Sequence, residues 1–142
     1  TSGLASTRTV LEIARRTDLF LYDLKLMDSE KHKQWTGVGN RRILQNLEAL
    51  AETGADIQIR IPLIKGVNND EKNIEETAVF VNALSGPRKA ISLLPYHNLA
   101  EGKSNKLGQE YVPDGMAEPN EIELTRVIAQ FAAHGLTASV GG

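Results

Sequence analysis

Cysteine is absent from the 142 residues. That removes disulfides, a thiolate nucleophile, a zinc ribbon and any iron–sulfur cluster ligated by this chain. Aromatic residues are scarce at 5%, with one tryptophan, Trp35. A surplus of positive charge is missing too. The formal net charge is -2, so no global field favours nucleic acid or an anionic membrane surface. No apolar run approaches the ~20 residues of a spanning helix, and no secretory leader pattern is visible. No H-E-x-x-H, Walker or Ser-His-Asp arrangement occurs, and nothing in the chain supplies a metal or redox centre. With neither disulfide nor leader, a cytoplasmic location is the default expectation.

What is present fits one compact domain, residues 1–142, with 41% hydrophobic and 24% charged residues. Four apolar, β-branched-rich runs alternate with helical patterns: Leu19–Leu26, Ile57–Ile64, Ala90–Pro95 and Leu136–Val140. Helical periodicity covers roughly Ser6 to Arg16 and Arg41 to Thr53, with Asn40 as the expected N-cap of the second and Gly54 just past its end. A third helix is expected from Glu71 until Gly86-Pro87 stops it, and a fourth from Glu118-Pro119 to Gly135, with proline in the first turn. Strand–helix alternation without hairpin turns predicts an α/β fold with a parallel sheet of about four strands.

The strands carry charge where a parallel sheet covered on both faces would not. Ile57, Ile59 and Ile61 share one face, while Gln58 and Arg60 share the other. In Leu19–Leu26, Asp23 and Lys25 point one way, and Tyr22 and Leu24 the other. One polar face predicts a barrel or half-barrel interior that holds something. Asp23 and Lys25 lie near the carboxyl end of the first strand, Arg60 late in the second, and His97 just after the third. Parallel neighbours bring these groups to one rim, where ligands of α/β sheets and barrels bind. The bland alternatives are a solvated strand-end ion pair for Asp23 and Lys25, a salt-bridge role for Arg60 and a satisfied loop histidine for His97. No residue is assigned a catalytic role, and His97 has no sequence-visible orienting carboxylate.

Two connections invite attention. Asp28–Gly39 is polar and holds Trp35, as a partner-binding loop or as an anchored one, with His32 expected in solvent. Asn98–Ala117 is about twenty residues long, unusual inside a compact domain and often functional.

Taken in order, Asp23-Leu24-Lys25, H-K-Q-W-T-G-V at His32–Val38, N-R-R-I-L-Q-N-L at Asn40–Leu47, I-R-I-P at Ile59–Pro62, G-V-N-N at Gly66–Asn69 and L-L-P-Y-H at Leu93–His97 resemble the activating enzymes of glycyl-radical enzymes. The likeness is to the pyruvate formate-lyase activase type within the radical S-adenosylmethionine proteins, and it spans nearly the whole chain. It implies a (β/α)6 partial TIM-type barrel of which this chain is the C-terminal half. It also implies an anaerobic oxidoreductase whose [4Fe-4S] cluster sits in a Cys-x3-Cys-x2-Cys loop and is fed by a reductant such as flavodoxin or ferredoxin. Reductive cleavage of S-adenosylmethionine there gives a 5′-deoxyadenosyl radical that abstracts hydrogen from a backbone glycine of the partner enzyme. Carried over, Asp23, Leu24 and Lys25 line S-adenosylmethionine, the charged pair serving its ribose and carboxylate. His97 approaches the adenosine, Arg60 is a further pocket residue, and Thr1 stands at the methionine end.

The chain departs from that pattern in having neither the cysteine loop nor the family's G-G-E segment. The resemblance therefore implies a C-terminal fragment, cut at Thr1-Ser2-Gly3 and ending naturally. Such a fragment is expected to be inert alone and to self-associate through an open strand edge. Two other readings remain: part of a Schiff-base aldolase barrel with Lys25 as nucleophile, and a non-catalytic module that docks a partner through Asp28–Gly39 and Asn98–Ala117.

Overall fold

The computed structural model describes residues 1–87, 89–96 and 116–141. His97 and most of the Asn98–Ala117 connection lie outside them. In chain order the described elements are α1 (Thr7–Ala14), β1 (Phe20–Asp23), α2 (Ser29–Thr36), α3 (Arg41–Glu52), β2 (Ile57–Leu63), α4 (Glu71–Ala83), β3 (Ala90–Pro95), α5 (Glu121–Ala133) and β4 (Ala138–Val140). The strands form one sheet in the order β1-β2-β3-β4, every pair parallel, as the alternation predicts.

The core lies on one face of this sheet. Phe20, Tyr22, Leu24, Ile57, Ile59, Ile61, Leu63, Ile91 and Leu93 are buried there against Val10 of α1, Leu47 and Leu50 of α3, Ile74 and Ala78 of α4, and Val127 and Phe131 of α5. Burial alternates strictly along β2, so a shift of one residue would expose every isoleucine. The opposite face carries Leu21, Asp23, Gln58, Arg60 and Ser92. It is the same-hand, one-sided arrangement expected of a barrel wall rather than a doubly wound sheet.

Three local expectations are corrected. Asp28–Gly39 is not a loop: α2 occupies most of it, with the Asp28 carboxylate accepting from the Glu30 and Lys31 N–H groups at 2.9 Å each and Gly37 ending it at φ 83°. His32 is buried inside that turn rather than in solvent, its Nδ1 2.7 Å from the Val38 carbonyl. Asn40 does hold the N-cap position of α3, as expected, but its side chain makes no capping bond, because its amide is turned onto the Leu26 and Met27 carbonyls. Pro119 also falls short of the first helical turn. α5 begins at Glu121, where Asn120 and Glu123 close a reciprocal capping box that satisfies two helix-end donors at once.

Candidate functional site

Asp23, Arg60, Ser92 and Ser139 stand in one row across the four strands. The strand register therefore presents their side chains on the same face without any loop rearrangement. Within the row, Arg60 Nε donates to Asp23 Oδ1 at 2.8 Å, and its Nη2 lies 2.7 Å from the same oxygen. Lys25 Nζ lies 4.0 Å from the other oxygen, Oδ2, at the outer limit of an ion pair. Asp23 is 21% exposed, Arg60 29% and Lys25 35%, so the group is half-sheltered but open to solvent on one side. Deeper toward the amino ends of the strands, Gln58 Nε2 donates to Ser92 Oγ at 2.6 Å.

Thr1 reaches this group from the free edge of β1. Its amino nitrogen donates to the Leu21 carbonyl at 2.7 Å, and the Asp23 N–H donates to the Thr1 carbonyl at 2.8 Å. This is the hydrogen-bond pattern of a parallel neighbour, so Thr1 stands opposite Tyr22 in the plane of the sheet, one residue before Asp23. Gly3 then turns the chain at φ 68° over the Tyr22 hydroxyl, which donates to the Ile43 carbonyl at 2.7 Å. Burial pushes the Tyr22 phenol well above its ordinary value.

Of the residues named from sequence, Asp23, Lys25 and Arg60 are thus brought together where β1 ends beside the middle of β2, with Thr1 at the β1 edge; Arg60 is midway along its strand rather than late in it. Leu24 shares the location by its main chain only: its side chain is in the core, and its N–H donates to the Arg60 carbonyl at 2.9 Å. His97 lies outside the described residues. Tyr96, the residue before it, donates its N–H to the Leu63 carbonyl at 2.9 Å.

Three asparagines carry no site role in the sequence reading. Asn40, Asn68 and Asn73 are all buried and converge on the chain as it leaves β1. Their partners are main-chain groups distant in sequence, which no periodicity reveals. The one available signal was the G-V-N-N stretch itself.

Chemically, the site is a carboxylate with one oxygen held by a guanidinium and the other facing an ammonium. It suits hydroxyls and a carboxylate of a ligand. No group of His, Asp or Glu fit to hold a metal ion occurs among the described residues, and an iron–sulfur cluster has no thiolate to bind here. No described helix is long and apolar enough to cross a membrane.

No protein-family model matches the chain. Individual proteins do. The trans-4-hydroxy-L-proline dehydratase activating enzyme of Clostridioides difficile is 40% identical over 144 residues, covering 100% of this chain and 47% of that protein. The choline trimethylamine-lyase activating enzyme of Oleidesulfovibrio alaskensis is 37% identical, covering 99% of this chain and 46% of that protein. A crystal structure of a domain of pyruvate-formate lyase-activating enzyme from Bacteroides vulgatus superposes with a TM-score of 0.84 at 39% identity, covering 100% of this chain and 78% of that one. This chain belongs to the glycyl-radical enzyme activating enzymes. It spans about half the length of the curated relatives it matches. The parallel sheet alternating with helices agrees with the activase domain, as the partial-barrel reading requires.

Proposed function

We propose that this chain is the C-terminal portion of a radical S-adenosylmethionine activase that acts on a glycyl-radical enzyme, and that it forms one wall of the S-adenosylmethionine pocket. The observation that supports this most is the gathering of Asp23, Lys25 and Arg60 on the polar face of the parallel sheet, at the carboxyl end of β1 and beside the middle of β2. In this reading the free Oδ2 of Asp23 accepts from the ribose hydroxyls. The Lys25 ammonium, whose nearest described partner is Asp23 at 4.0 Å, receives the methionine carboxylate. Arg60 acts through Asp23, holding Oδ1 so that the carboxylate keeps one orientation. Leu24 contributes main chain, Thr1 borders the methionine end beside Asp23, and His97 borders the adenosine.

Bound S-adenosylmethionine, reduced by a cluster, supplies hydrogen-atom abstraction from a backbone glycine of the partner. This chain has no cysteine to hold that [4Fe-4S] cluster. The cluster, and the flavodoxin or ferredoxin that reduces it, belong with the other half of the barrel. A cytoplasmic setting, inactivity of the isolated chain and its self-association are part of the same reading.

The test is calorimetric titration of S-adenosylmethionine into the full polypeptide. Lys25→Ala should weaken binding by about 1–3 kcal/mol, the scale of a lost charge-assisted contact. Unchanged affinity would remove Lys25 from the pocket.

A further inference from the structure

Past Leu24, whose N–H still bonds the Arg60 carbonyl of β2, side chains hold four main-chain groups of the segment that follows β1: the Lys25, Leu26 and Met27 carbonyls and the Met27 N–H. Asn68 Nδ2 donates to the Lys25 carbonyl at 3.0 Å and to the Pro62 carbonyl at 2.7 Å, while its Oδ1 accepts from the Ile64 N–H at 2.8 Å. Both amide protons are used, and they tie the exit of β1 to the exit of β2. Asn73, on α4, accepts from the Met27 N–H at 2.9 Å and donates to the Asn68 carbonyl at 2.9 Å and to the Lys25 carbonyl at 3.3 Å. Asn40 donates to the Leu26 and Met27 carbonyls at 2.9 and 2.7 Å. Three buried side chains, from the α2–α3 connection, the β2–α4 connection and the first turn of α4, thus fix three consecutive residues, with two donors on Lys25 alone.

A buried asparagine that merely solved a local problem would cap its own helix or turn. Asn40 instead leaves its own helix α3 without a side-chain cap, and Asn73 reaches 46 residues back to Met27. The carbonyl that Asn68 and Asn73 share belongs to the residue whose ammonium faces Asp23. β1 and β2, clipped together by Asn68, carry Asp23 and Arg60. We propose that Asn68 and Asn73, backed by Asn40, are positioning residues that fix the main chain of Lys25. In doing so they set the placement of its ammonium over the Asp23–Arg60 pair for ligand binding. The long, rotatable lysine stem loses much entropy when it is held for a contact. A fixed main chain removes the first part of that cost before the ligand arrives.

This inference rests on the pocket reading above, and a double-mutant cycle separates the two. S-adenosylmethionine is titrated into the full polypeptide as wild type, Asn68→Ala, Lys25→Ala and the double variant, with melting curves confirming a folded state. The expectation is that Asn68→Ala weakens binding about tenfold in the wild-type background and less than about twofold when Lys25 is already alanine. A loss of equal size in both backgrounds would show a general structural role and overturn the proposal. So would unchanged affinity in Asn68→Ala alone. No effect of Lys25→Ala would instead sink the pocket reading, and the proposal with it. Should Asn68→Ala fail to fold, Asn73→Ser runs the same cycle through the second donor to the Lys25 carbonyl, with the same deciding outcomes.

Discussion

Gly3 illustrates how tightly single residues are fixed near the site. It lies at φ 68°, a conformation that disfavours side chains, and a Cβ built there collides with the Tyr22 hydroxyl and ring. Gly3→Ala is expected to destabilise the fold by about 2–4 kcal/mol, read as a lower urea midpoint with unchanged slope. Tyr22→Phe removes the bond to the Ile43 carbonyl while keeping the ring. It should cost about 1–2 kcal/mol in the same measurement. At this scale the sequence was partly legible. Asp23 and Arg60 stood out because charge interrupts an alternating apolar pattern, and strand register made their pairing unavoidable once the strands were parallel. Asn68 and Asn73 did not, because their partners lie across the sheet exits. His32 looked solvated because nothing in H-K-Q-W-T foretells a ring turned inward onto the Val38 carbonyl.

Elements were legible where burial dictates them and obscure where caps do. α3 and β2 followed from apolar spacing alone. α2 did not, because only His32 of its eight residues is buried, so no stripe exists to be seen. Its signals are terminal: Asp28 at the start and Gly37 in the left-handed conformation at the end. The Asp28 carboxyl is held below its ordinary value, first by the Lys31 N–H. A carboxylate depressed in the folded state stabilises fully above its unfolded value and loses that contribution as pH falls through the folded one. Protection factors at the Glu30 and Lys31 amides, exchange rates corrected for the intrinsic effect of pH, should therefore fall selectively on acidification below the ordinary carboxylate range. Asp28→Asn, which caps without titrating, should abolish the selective response. At α5 the capping box prevailed over Pro119 as the start signal. Asn120→Ala should cost about 1 kcal/mol in thermal or urea unfolding.

Among the described residues the molecule is one-sided. Helices cover one face of the sheet, no described element covers the other, and the β1 edge is met only by Thr1, through its bonds to Leu21 and Asp23. Leu4, Ile13, Leu19 and Leu21 are each between 39% and 51% exposed around that edge. Leu4, Ile13, Leu19 and Leu21 line a groove of about 410 Å³ beside Thr1. Apolar surface gathered along an unfilled strand edge promotes association. The 142-residue chain is expected to self-associate with rising concentration in light scattering, and Leu21→Lys should shift it toward monomer. A monodisperse monomer at high concentration would contradict this. The parallel, single-sided architecture was legible from the alternation of runs and helices. The open edge was implied only by the family likeness, since no local pattern marks which strand lacks a neighbour.

In the proposed pocket Asp23 and Lys25 at the carboxyl end of β1, with Arg60 midway along β2, face the cofactor. A crystal structure of the full polypeptide with S-adenosylmethionine tests it most directly. The ribose and methionine carboxylate should lie at hydrogen-bond distance, about 3 Å, from Asp23 and Lys25. Density for the molecule at the amino ends of the strands, or on the helical side of the sheet, would contradict it.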